Sequence, residues 1–175
     1  MTTGQEISLW SIRLAVALWF VFALTLRGHP TPVQWRRSRI WWTMATIVYL
    51  VHVGFAFAAW HQWSHDLATR HTAEVTARVT GLAWGGGIWF NHLFTLVCVA
   101  ETVLWWLRPG WIRNRPAWVA VVLYGFCLFI VVNATVVFAS GWIRWIGLGM
   151  LAWLTIHLYL KRRRPVPAVA PGSSD

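Results

Sequence analysis

Acidic residues are scarce in this sequence: five Asp and Glu stand against 15 Lys and Arg in 175 residues, and charged residues of both signs make up only 11%. A soluble globule of that length carries more polar surface, so water is excluded as the main solvent of the folded chain. Only two cysteines occur, Cys98 and Cys127, both inside apolar runs. That rules out a disulfide framework and a four-cysteine metal site, and both read as small core residues. Lysine is nearly absent, Lys161 standing alone, a usage that fits a GC-rich bacterial genome. No basic residue precedes Arg13 and no small-residue cleavage motif follows the first apolar run, so a cleaved signal peptide is not expected.

What the chain does have is apolar length: 58% of its residues are hydrophobic. A helix needs roughly 20 apolar residues to cross a hydrocarbon core about 30 Å thick. Five such runs occur, at about 7–26, 40–60, 86–107, 118–139 and 142–160. Arg27-Gly28-His29-Pro30 and Arg108-Pro109-Gly110 break the first and third, and Ser140-Gly141 alone separates the fourth from the fifth, implying a tight hairpin. The expectation is a single all-α transmembrane domain of five helices over 1–164, followed by a disordered Pro-, Ala- and Ser-rich tail at 165–175.

Sixteen tryptophans are present, many at run ends: Trp10, Trp41, Trp42, Trp60, Trp63, Trp84, Trp105, Trp106, Trp118 and Trp142. Indoles favour the headgroup level, so these read as aromatic belts. The net charge of +10 is topological, because the arginines flank apolar runs instead of forming a stripe for nucleic acid. Arg27, Arg36, Arg37, Arg39, Arg108, Arg113, Arg115 and Lys161 to Arg164 fall on alternate connections, with only Arg13, Arg70, Arg78 and Arg144 opposite. The positive-inside rule then predicts an external N-terminus and a cytoplasmic C-terminus in a bacterial inner membrane. The long outer connection, 61–85, carries Val75, Val79 and Leu82 at helical spacing, which predicts a short amphipathic helix between spans 2 and 3.

Ionisable and amide side chains inside apolar runs are costly and mark candidate sites. Glu101 and His157 lie at similar depth toward the cytoplasmic side and are expected to face each other, with Arg108 the rival partner of Glu101. Asn91, Thr95, Cys98 and Thr102 recur at helical spacing on one face, which reads as close helix packing or as a lining for substrate. Asn133, His52 and His92 form a layer nearer the outside. His52 and His92 would be axial ligands if the chain were a b-type haem redox subunit. His61-x-x-x-His65, followed by Asp66, His71 and Glu74, offers donors for zinc, iron or copper on the outer loop, without the adjacent glutamate of a zincin. Gly81 and Gly85 form a G-x-x-x-G pattern that predicts close backbone approach.

Four classes of function follow. Because no recognised catalytic motif is present, the leading expectation is an accessory or structural membrane subunit, in which polar groups specify helix pairing and the partner is another membrane protein or a second copy. The alternatives are an outer-face metal-binding protein, a small proton-coupled transporter using Glu101, His157 and the Asn91 stripe, and the haem subunit. A metal ion or haem b is the candidate cofactor, and neither is preferred to none.

Overall fold

The computed structural model describes residues 1–25 and 31–162, with residues 158 and 160–162 described by backbone alone. The break expected at Arg27 to Pro30 and the tail at 165–175 lie outside the described residues. Among the described residues every regular element is helical: α1 (Thr3–Thr25), α2 (Pro32–Ala59), α3 (His65–Thr80), α4 (Gly87–Leu107), α5 (Pro109–Asn114), α6 (Ala117–Val132) and α7 (Trp142–Arg162). Four of the helical segments, Thr3–Thr25, Pro32–Ala59, Gly87–Leu107 and Ala117–Val137, are long and apolar enough to cross a membrane.

Helix α2 begins eight residues before the expected start of the second run, and local chemistry explains why. Thr31 and Gln34 form a reciprocal capping box, Gln34 N–H donating to the Thr31 hydroxyl (3.3 Å) and Thr31 N–H to the Gln34 amide oxygen (2.9 Å). Pro32, whose missing N–H costs nothing in the first turn, opens the helix. Helix α3 starts on Ser64, whose hydroxyl accepts from Leu67 N–H (3.3 Å), and stops at Gly81, held at φ 79° where a side chain would be strained.

At its far end α6 runs into a π-helical turn, Asn133–Val137. Asn133 donates its side-chain amide to the Phe129 carbonyl (2.8 Å). Arg144 closes the segment by donating to the carbonyls of Ala139 (3.0 Å) and Val137 (3.4 Å), the acceptors a helix end leaves open. A β-carbon at Gly147 would sit 2.8 Å from the Thr135 carbonyl, so α7 approaches the π turn closely there.

The core lies among α1, α2 and α4, with Tyr124 to Val131 of α6 packed against it. Trp19 and Tyr49 each meet Phe94 with ring centroids 5.0 Å apart, and Phe22 meets Trp42 at 5.0 Å, all close to edge-on. Trp42 and Trp105, read as belt residues, are core residues at 1% and 3% exposure. Trp10, Trp63, Trp118 and Trp142 stay exposed. The stripe on α4 faces α2: the Thr95 and Tyr49 hydroxyls lie 2.9 Å apart, Thr102 donates to Thr46 (3.2 Å), and Cys98 between them is fully buried. On the same pair of helices Trp106 donates its indole N–H to the Thr43 hydroxyl (3.0 Å). Helix α1 is tied to α2 by Thr25 and Ser38, whose hydroxyls are 2.8 Å apart.

Candidate functional site

Two polar centres lie at opposite ends of α4. The one toward the C-terminal end is built on Glu101, six residues before the helix ends, roughly 9 Å in from that end at 1.5 Å per residue. Its carboxylate accepts a 2.6 Å bond from Arg115 Nη1, with side-chain exposures of 2% and 5%. Arg115 stands between α5 and Pro116, in extended backbone, and its length carries the guanidinium back along the bundle. The other terminal nitrogen, Nη2, donates to the Tyr124 hydroxyl on α6. One cation thus joins α4 to α6, lying over the Tyr124 ring at 4.9 Å. The second carboxylate oxygen, Oε2, is buried and has no partner among the described residues.

This arrangement corrects the expected pairing of Glu101. No ion pair or hydrogen bond joins it to His157 or Arg108. His157 instead lies flat on Trp153, with ring centroids 5.4 Å apart and planes 14° from parallel. The physical reason is reach: Arg115 sits just past α5 and brings a fixed charge to the carboxylate, while the His157 ring is held by its own helix neighbour.

At the other end of α4, four histidines gather as two pairs. His65 on α3 and His92 on α4 have Nε2 atoms 3.2 Å apart. His61 and His71 have ring centroids 5.4 Å apart, and Phe57 packs against both His61 (5.6 Å) and His92 (6.0 Å). Burial, and then the neighbouring His71, hold the His61 imidazolium below its ordinary pKa of 6.5. Asp66 is turned away to Arg70, in an exposed pair at 2.9 Å one turn along α3. Glu74 is exposed on α3. Among the described residues no group of three or more His, Cys, Asp or Glu is placed to hold one ion, so the expected outer-loop ligands are not brought together as a single shell.

His52 and His92 each have separate partners. His52 Nδ1 lies 2.8 Å from the Ser8 carbonyl and 3.2 Å from its hydroxyl on α1, whereas His92 belongs to the His65 pair. Asn91 contributes its carbonyl to Thr95 (2.9 Å) and its side chain is exposed, and Asn133 is spent within its own helix. A cavity of about 290 Å³ lies between α1, α2, α6 and α7, lined by Val16, Trp19, Trp42, Tyr124, Leu128 and Met150 among others. Its walls are almost wholly apolar. No known family model, curated protein or solved structure matches the chain.

Removing one partner of a buried ion pair strands the other charge, at a cost of roughly 3–5 kcal/mol, whereas replacing both by apolar groups of similar size is often close to neutral. Arg115→Met alone is therefore expected to lower stability strongly, and Glu101→Leu with Arg115→Met to recover most of the loss. A double-mutant cycle on reversible unfolding in detergent checks this. Additivity within about 0.5 kcal/mol would show that the two side chains are not in contact.

Proposed function

We propose that the chain is an accessory or structural subunit of a bacterial inner membrane, with no chemistry of its own. The observation that carries this reading is the fate of the polar groups in the apolar helices. Glu101 is spent on Arg115, His52 on Ser8, Thr95 on Tyr49 and Thr102 on Thr46. Polar groups used this way specify which helices pair and in what register. The cavity is lined almost wholly by apolar atoms, with no acidic, basic or histidine side chain among its described lining residues, which weighs against proton-coupled transport.

On this reading the bundle crosses the bilayer five times, α7 being the fifth span at 21 residues. The N-terminus is external and the basic C-terminal end cytoplasmic, as the distribution of arginine suggests. Helix α3 would lie at the outer surface. Single cysteines at Glu74 and Asn114, in a chain lacking Cys98 and Cys127, test the orientation. An impermeant thiol reagent added to intact cells is expected to label position 74 and spare position 114, and the opposite pattern would invert the topology.

The subunit reading is tested by native mass spectrometry of the tagged chain, purified in mild detergent at its natural abundance. A complex of defined stoichiometry is expected, with another membrane chain or with a second copy. A monomer that alone turns over or transports a substrate in liposomes would overturn the proposal.

A further inference from the structure

The close approach of α3 to the start of α4 has a chemical consequence at His65 and His92. A β-carbon at Gly85 would lie 2.7 Å from the Thr69 carbonyl oxygen, so glycine is what lets the two segments come this near, and one at Gly87 would press on the Thr72 methyl at 3.0 Å. The approach sets His65 Nε2 3.2 Å from His92 Nε2. Thr69 then fixes the proton on His65. The Thr69 hydroxyl donates to the His65 carbonyl (2.8 Å), so toward His65 Nδ1, 3.4 Å away, it has only a lone pair left to offer. That favours hydrogen on Nδ1 and leaves Nε2 with its lone pair directed at His92. Such orientation of an imidazole by a neighbour on its far nitrogen is what metal-ligating histidines use.

Two imidazole nitrogens, each about 2.0–2.1 Å from one tetrahedral ion, stand about 3.3–3.4 Å apart, close to the spacing found here. Trp89 flanks both rings, at 5.3 Å from His65 and 5.7 Å from His92, and Phe57 covers His92. We propose that His65 and His92 form a two-imidazole site for a transition-metal ion of the zinc or copper class, open on its solvent side. Imidazole suits these ions. With Asp66 held by Arg70 and no third protein ligand gathered among the described residues, water completes the coordination and the ion exchanges readily. The site takes His92 from α4 and does not use His61, which pairs with His71.

The test is zinc binding by the full chain, stripped with chelator in detergent and equilibrated with zinc chloride. Elemental analysis at equilibrium dialysis against zinc chloride, with the free ion subtracted, is expected to find equimolar zinc on the wild type, accompanied by a zinc-dependent rise in thermal midpoint. Both are expected to vanish in His65→Ala and in His92→Gln, the latter keeping a polar side chain in place, and to persist in His61→Ala and His71→Ala. Thermal transitions without metal separate lost binding from lost folding. Absence of zinc from the wild type would overturn the proposal, as would retention by folded His92→Gln. Loss in His61→Ala with retention in His92→Gln would move the ligands to the other pair.

Discussion

A carboxylate in an apolar helix must find a partner, and the end of the bundle where α4 finishes is arranged around how Glu101 does so. Neither hydrocarbon nor aromatic side chains can solvate it. Arg115 meets the need at 2.6 Å while also holding Tyr124, which ties the middle of α6 to the last turns of α4. Helix α5 is the device that makes this reach possible. It turns the chain after Leu107 so that a residue outside both long helices points back between them. Without the carboxylate the guanidinium would be the stranded charge, so each member accounts for the other's burial.

The rest of the core follows the same economy of polar groups. Hydroxyl pairs tie α2 to α1 and to α4, and the aromatic rings between them pack edge-on. Three indole N–H groups, on Trp19, Trp42 and Trp105, are buried without a partner among the described residues. Each costs roughly 1–3 kcal/mol relative to a bonded group, which the burial of such large rings must exceed. No residue of α6 is fully buried, and its exposed apolar surface suits lipid or a neighbouring chain.

The apolar runs and the α4 stripe were legible in the sequence because each rests on periodicity and length. Thr31-Pro32 and Gln34 announced the start of α2 just as openly, but hydropathy alone begins that run at Ile40. Trp42 and Trp105 were misplaced because a tryptophan at a run end has the same sequence signature whether its ring faces headgroups or core. Arg115 was counted only as a flanking charge: nothing local marks an arginine that folds back onto a helix 14 positions earlier. The histidines from His61 to His92 were visible in the sequence, but their sorting into pairs depends on α3 lying against α4, a tertiary contact that spacing does not encode. Of the Gly81–Gly85 pattern read as close backbone approach, Gly85 alone makes one, to Thr69, whereas Gly81 ends α3 at φ 79° with open space around it.

Polar contacts between neighbouring elements hold α1, α2, α4 and α6 together, and the Glu101–Arg115 bond is the strongest of them. The most direct measurement is a solid-state NMR dipolar coupling between a 15N label in the Arg115 guanidinium and a 13C label in the Glu101 side-chain carboxyl, with the protein in lipid bilayers. A strong coupling, matching direct contact, is the predicted result. No measurable coupling in folded protein would contradict the account, because Glu101 would then have to be partnered from elsewhere.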